Sequence, residues 1–369
     1  MIYLDNGATS FHKPQSVARA VLNAMKTCAN PGRGGYGASM AAANVVYRCR
    51  EAAGELFGCS PEQVVFTANC THGLNIAIRS LLKPGDRVVI SGFEHNAVTR
   101  PLHGLGAEIV VAGRKLFDWD HTLEEFDRAL RRGADAAVFT HVSNVFGYIL
   151  PVEQMAALCR QRGSPFVIDA AQSAGSLPVS LEALGADFIA MPGHKGLLGP
   201  QGTGLLLCGA RPKPLLYGGT GSESIRQDMP DDIPERLEAG TLNVPGIAGL
   251  GAGLQYLRQA GIEAIGKREA RQARHCAAGL GKLGMRVFSG PHQGGTVSFV
   301  PDTDCEGAAQ LLARQGIAVR AGLHCAPLAH ESAGTLETGT VRISFGYDAE
   351  RWQTEAILRA ASKLSNSEL

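Results

Sequence analysis

An acid and an amine close two neighbouring apolar runs near the middle of the chain. Pro165-Phe166-Val167-Ile168-Asp169-Ala170-Ala171-Gln172 ends on a carboxylate, and Phe188-Ile189-Ala190-Met191-Pro192-Gly193-His194-Lys195-Gly196 ends on a glycine-flanked His-Lys pair. Each run reads as a buried strand, and open α/β sheets bind ligands beyond the carboxyl ends of their strands. Glycines on either side let the pair take backbone angles closed to other residues. Taken singly, Asp169 is a strand-end turn residue and Lys195 a solvated loop lysine. Separated only by a short crossover, residues 173–187, they set a carboxylate and an ammonium on one rim. Pyridoxal phosphate needs both: a lysine for its aldehyde, and a carboxylate that keeps its ring nitrogen protonated so that the ring serves as electron sink.

Other stretches offer parts for such a site. Phe66-Thr67-Ala68-Asn69-Cys70-Thr71-His72-Gly73 ends a strand and opens a helix, where exposed amides attract phosphate. Thr71 adds a hydroxyl and Cys70 a backbone N–H, the plain alternative being an N-cap threonine. His95, in Glu94-His95-Asn96-Ala97, follows a strand at the same edge, where its ring could stack on a pyridine face. Val319-Arg320-Ala321-Gly322-Leu323-His324-Cys325-Ala326-Pro327 sets a cysteine in a loop bounded by Gly and Pro. A thiolate is a nucleophile, and Arg320 and His324 are expected to favour it. The other cysteines read as inert packing. His324, Cys325 and His330 lack the second pair of a zinc pattern, so no metal is expected. Thr340-Val341-Arg342-Ile343-Ser344 reads as a strand with one inward arginine, whose guanidinium suits an α-carboxylate. Gly32-Arg33-Gly34-Gly35-Tyr36-Gly37 matches a dinucleotide fingerprint in form, but residues 27–31 before it are loop chemistry, so a flexible loop near the site is expected instead.

Apolar runs and amphipathic stretches must carry these residues. Strands are expected at Val64–Thr67, Arg87–Ser91, 108–111, 136–141, Phe166–Asp169, 188–191 and 203–208, the last running antiparallel as a hairpin after Lys195. Helical patterns such as 122–132 and Val152–Arg162 lie between them, which argues a mainly parallel sheet covered on both faces. From about Val244 the character changes: a helical stretch over 246–283 broken near Gly261, strands at 285–289 and Thr296–Val300, a helix at 306–315, strands near 318–321 and Thr340–Ser344, and a helix from Ala349. At 369 residues two domains are expected.

With 45% hydrophobic and 19% charged residues and a net charge of +1, nothing points to nucleic acid or an interaction tail. No apolar run approaches the ~20 residues of a membrane span, no signal peptide is visible at the N-terminus, and nine scattered cysteines fit a reducing cytoplasm.

From Tyr3-Leu4-Asp5-Asn6-Gly7-Ala8 to Arg342 these motifs resemble the class V aminotransferase-like, fold-type I pyridoxal-phosphate family, in its cysteine desulfurase and selenocysteine lyase branch. The resemblance implies a fold-type I α/β architecture: a large domain, 13–250, with a mainly parallel seven-stranded sheet, and a smaller α+β domain, 251–369, packing with residues 1–12. It implies a Schiff base on Lys195, Asp169 at the ring nitrogen, and His95 stacked on the ring. Thr71, with Cys70, and His194 would hold the phosphate. Asn144, in Thr140-His141-Val142-Ser143-Asn144-Val145-Phe146-Gly147, would approach the phenolic oxygen and the substrate carboxylate, and Gln172 the phenolic oxygen. Thr241, in Arg236-Leu237-Glu238-Ala239-Gly240-Thr241-Leu242-Asn243, would cross a homodimer interface to a partner's phosphate. Arg342 would clamp the substrate carboxylate and Cys325 would carry a persulfide. The implied reaction turns L-cysteine into L-alanine and passes sulfur through Cys325 to an acceptor protein. Selenide release from L-selenocysteine, or a class V aminotransfer, are the alternatives. Two departures stand out: relatives carry Ser or Thr where this chain has Pro192, which offers neither hydroxyl nor N–H, and often a carboxylate where it has His72.

Overall fold

The protein, described by a computed structural model over residues 1–32 and 34–364, is organised around a seven-stranded sheet. Across the sheet the strands run Val64–Thr67, Gly204–Cys208, Phe188–Pro192, Phe166–Asp169, Ala136–Thr140, Arg87–Ser91 and Glu108–Ala112. All neighbours are parallel except Gly204–Cys208, which is antiparallel to both its partners. The chain between Pro192 and Gly204 is too short for a crossover helix, so the next strand must return as a hairpin. The central strands are buried on both faces, as their unbroken Val, Ile, Phe and Ala content requires once helices cover the sheet. The expected strands and this reversal are present, with ends shifted by one residue at most.

Several elements go beyond the sequence reading, among them the strand Ile2–Tyr3 and the helices Gln15–Thr27, Gly37–Phe57 and Pro327–Ala333. A two-residue strand has no periodicity to read. The longer helix is rich in Ala and Gly and leaves Met40 and Tyr47 half exposed, so its apolar stripe is blurred. Arg33 lies outside the described residues, so the glycine-rich stretch at 32–37 is described only around it. The element in front of that stretch is the helix Gln15–Thr27, not a strand, which removes the dinucleotide pattern.

A second core forms around an antiparallel sheet ordered Arg320–Gly322, Thr340–Ser344, Thr296–Val300, Arg286–Phe288. The helices Ile262–Lys282, Cys305–Arg314 and Arg351–Ala361 cover it with Ala273, Cys276, Leu280, Leu312 and Ile357. Leu4 belongs to this core, and Ile2–Tyr3 pairs in parallel with Ile317–Ala318. The helix Val244–Ala260 runs through the expected boundary at 250 and buries Leu254 and Leu257 in the large core. We propose that the division between the two cores falls at Gly261, whose φ of 78° breaks the helical path.

Candidate active site

Asp169 ends its strand at the carboxyl edge of the sheet and is 2% exposed. Its Oδ1 accepts the Ala171 N–H at 2.9 Å and lies 3.5 Å from the Cys70 thiol. The strand Phe188–Pro192 pairs beside it, Asp169 opposite Ala190, and carries Gly193, His194 and Lys195 past the same edge. The loop after Lys195 lies directly on the loop after Gln172. A Cβ at Gly175 would strike the Gly196 carbonyl and one at Gly196 the Ala174 carbonyl, so only glycine permits this approach. Removal from water lowers the basicity of the Lys195 amine, with Asp169 and Cys70 acting in the opposite direction.

Cys70, Thr71, His95, Asn144, Asp169, Gln172, His194 and Lys195 line one cavity of about 200 Å³, together with Pro192. Its floor is the start of the helix Cys70–Leu81. Asn69 caps that helix, its side chain accepting the His72 N–H at 2.9 Å, so the capping role falls to Asn69 and leaves the Thr71 hydroxyl uncommitted. His72 turns away: its Nδ1 accepts the Ala68 N–H at 3.3 Å, and its ring borders a neighbouring cavity. His194 pairs its Nδ1 with the Thr9 hydroxyl at 3.1 Å, and burial, aided by Lys195 and Lys13, brings its pKa down to about 4. It is therefore a neutral ring at the cavity wall. The side-chain N–H of Gln172 donates to the Gly7 carbonyl at 2.9 Å.

His95 is the N-cap of the helix Asn96–Leu105. Its Nδ1 accepts the Ala97 N–H at 3.0 Å, which leaves the ring proton on Nε2. Burial keeps the ring neutral, with Asp169 pulling the other way. Beneath it Glu94 is fully buried: Oε1 accepts the Ser91 hydroxyl and the Thr140 N–H at 2.9 Å, while Oε2 has no partner. Burial pushes this carboxyl up to about 8, against those two hydrogen bonds, so it is neutral at pH 7.

Asn144 joins the cavity to the small domain. Its Nδ2 donates to the His324 carbonyl at 2.8 Å, its own carbonyl accepts from Arg342 Nη1 at 3.0 Å, and its buried Oδ1 has no partner. Arg342 is 2% exposed, and Asp5 Oδ1 holds its Nη2 at 2.6 Å. Cys325 is exposed, and its carbonyl accepts the Asn96 N–H at 2.8 Å, one residue from His95. Both His324 and Cys325 have left-handed backbones, with φ of 50° and 56°. The two carbonyl contacts tie this strained turn to Asn144, which lines the cavity, and to Asn96, the neighbour of His95.

The expectation that His324 and Arg320 support a thiolate at Cys325 is corrected. The His324 ring is buried, with Nε2 at 3.2 Å from the Thr340 carbonyl and hydroxyl, and burial drives its pKa down to about 2, so it carries no charge. Arg320 is paired with Asp5 at 3.1 Å. Thr241 is not brought to the cavity of Lys195: it lines a separate one with His72, Thr203 and Glu238. Glu238 pins that segment to the edge strand of the sheet by accepting the Phe66 N–H at 2.7 Å and pairing with Arg50. Asp5 and Glu94 were given no role by the sequence, since neither sits in a pattern that marks it; a lone acid gains meaning only from the arginines or strand ends that folding sets beside it.

Pyridoxal phosphate fits what the cavity offers. A helix start with a free threonine hydroxyl and a neutral imidazole suit its phosphate, a buried carboxylate its ring nitrogen, and a desolvated amine its aldehyde. The partnerless Asn144 Oδ1 and the Nε2–H of His95 are polar groups left for a ligand to meet.

The comparisons agree with this class of site. The chain belongs to the aminotransferase class-V family, whose model matches residues 2–357. Within it, the chain is similar to cysteine desulfurases. It is 33% identical to a probable cysteine desulfurase of Methanothermobacter thermautotrophicus over 94% of this chain and 90% of that one, and 32% identical to one of Pyrococcus abyssi over 100% and 95%. Among solved structures it resembles the cysteine desulfurase of Thermococcus onnurineus, with a TM-score of 0.90 and 32% identity over 99% of this chain and 94% of that one. It also resembles CsdA of Escherichia coli, with a TM-score of 0.85 and 25% identity over 98% and 94%.

Proposed function

We propose that the protein is a pyridoxal-phosphate-dependent cysteine desulfurase, which turns L-cysteine into L-alanine and takes the sulfur onto Cys325 as a persulfide. The observation that carries this reading is the exposed Cys325: its carbonyl is held by Asn96, next to His95, and the adjoining His324 carbonyl by Asn144, so its turn is tied to two side chains that line the cavity of Lys195 and Asp169. Bound there, pyridoxal phosphate supplies an aldehyde for the substrate amine and a sink for the electrons at Cα. Asp169 holds the proton on the ring nitrogen, and Thr71, the amides after Asn69 and His194 hold the phosphate. Lys195, weakly basic for a lysine, removes the Cα proton. Arg342 receives the substrate carboxylate beside Asn144. The Cys325 thiolate attacks the substrate sulfur; an S–S bond forms as the C–S bond breaks, the electron pair stays with the three-carbon unit, and a proton delivered to Cβ, with the Cα proton returned by Lys195, completes alanine. His95, with its proton on the free Nε2, faces that unit as stacking partner and donor.

Thr241, remote from its own chain's cavity, is read as completing the phosphate site of a second copy. Leu22, Met25, Met40 and Tyr47, exposed on the two helices nearest the N-terminus, supply apolar surface for such a homodimer. An exposed persulfide can be collected by an acceptor protein. All nine cysteines are unpaired, which favours the cytoplasm; no helix among the described residues is long and apolar enough to cross a membrane.

Product analysis with Cys325→Ala is the test. Sulfur transfer from L-cysteine is expected to disappear with the cofactor still bound, while selenide release from L-selenocysteine can persist because selenium leaves more readily. Unimpaired desulfuration by the variant would sink the persulfide role, and a 2-oxo acid in place of alanine would favour aminotransfer.

A further inference from the structure

Two arginines face each other across the small-domain sheet with one carboxylate between them. The register of Arg320–Gly322 against Thr340–Ser344 sets Arg320 directly opposite Arg342, so their side chains rise from the same face. Like charges in that relation repel. Asp5 resolves the conflict by giving Oδ1 to Arg342 Nη2 at 2.6 Å and Oδ2 to Arg320 Nε at 3.1 Å. Two guanidinium groups and one carboxylate leave one positive charge unmatched, which is the complement of a single α-carboxylate.

The position of Asp5 is itself fixed by the segment around it. Leu4 accepts the Ser344 N–H at 2.8 Å, Gly7 donates to the Ser344 hydroxyl at 2.8 Å, and the Gly7 carbonyl takes the Gln172 amide from the cofactor cavity. The N-terminal segment is thus stitched to both domains within a few residues of the site. Among the described residues Arg342 has two holders, Asp5 and the Asn144 carbonyl, and its buried Nε has no partner. A guanidinium so buried keeps three of its five N–H groups for a ligand, yet its direction depends on those two contacts.

We infer that Asp5 is a positioning residue for the substrate carboxylate: it aims the Arg342 guanidinium at the site and holds Arg320 off it. This rests on Arg342 being the carboxylate clamp, and the experiment separates the two ideas. Holoenzymes of the native protein, Asp5→Asn and Arg342→Ala are titrated with L-alanine and with ethylamine, which has no carboxylate. Binding is read from the cofactor absorbance rather than from turnover. Asp5→Asn is expected to weaken L-alanine by about 10-fold, the scale of one hydrogen bond to a charged group, and to leave ethylamine unchanged. Equal loss for both ligands would mean that Asp5 is merely structural and would overturn the inference. Native-like L-alanine binding by Asp5→Asn, with Arg342→Ala weakened, would overturn it and spare the clamp. Native-like binding by Arg342→Ala would remove the clamp and the inference with it. If Asp5→Asn does not fold, Asp5→Glu asks the same question, because it keeps the charge and displaces the guanidinium. Several-fold weaker L-alanine binding with ethylamine unaffected supports the role, and unchanged binding of both ligands refutes it.

Discussion

The large-domain wall of the site and its small-domain face hold their cations in opposite ways. Lys195 stands on a sheet edge with backbone packed around it, its ammonium disfavoured by lost water and favoured, in the opposite direction, by Asp169. Arg342 is also buried, but it lies against Asp5 at 2.6 Å and is tied through Asn144 to the turn that carries Cys325. The first cation can lose its charge and act as a base; the second cannot, and is suited to holding a charge opposite its own. One wall is built for proton transfer, the other for grip and for presenting a nucleophile.

The sharpest way to break that contrast is to remove each cation in turn. Lys195→Ala is expected to lower turnover by at least about 10³-fold, since both the base and the covalent anchor go. A borohydride-trapped peptide map should lose its adduct at position 195, and an adduct found elsewhere in the native protein would move the base. Arg342→Ala should act mainly on KM for L-cysteine, raising it roughly 10- to 100-fold, the range for a buried charged contact. A loss confined to kcat would instead make Arg342 part of the chemistry.

Legibility in the sequence divides along the same line. The large sheet could be read strand by strand because each central strand is an unbroken apolar run, and Asp169 and Lys195 follow directly from the ends of two of them. The small-domain face depends on pairing across long sequence distances. That Arg320 opposes Arg342, or that Asp5 lies between them, is fixed by a register no local pattern encodes. The charge of His324 was misjudged for the same reason: a histidine beside a cysteine reads as a cation until Thr340 and the surrounding core bury it. Thr71 could be a cap or a phosphate ligand from sequence alone, and it is Asn69, two residues earlier in the chain, that takes the cap.

Pro192 gives a smaller test of the large-domain wall. It lines the cavity beside Thr71 and His194 with neither hydroxyl nor N–H to offer. Pro192→Ser adds a donor where the phosphate is expected, and should tighten pyridoxal phosphate by up to about 10-fold in equilibrium dialysis. No gain would mean that the phosphate is already saturated by its other donors.

The smallest effect expected concerns stability rather than turnover. Glu94 lies under the same wall, its carboxyl pushed by burial from 4.5 up to about 8. A carboxyl whose folded pKa is raised contributes stability that is complete below its unfolded pKa and is lost as pH rises through the folded value. The native protein should therefore weaken between about pH 4.5 and 8 on this account. His141 and His330, both lowered to about 4 by burial, act the other way, with stability lost as pH falls from about 6.5 through 4. Subtracting the native profile from that of Glu94→Gln cancels the histidines and isolates the acid. The amide keeps an acceptor for Ser91 and Thr140 and cannot ionise, so the urea midpoint of the variant should match the native one near pH 5 and exceed it near pH 8.5. Parallel profiles would mean that Glu94 is charged in the folded protein and that burial does not hold its proton.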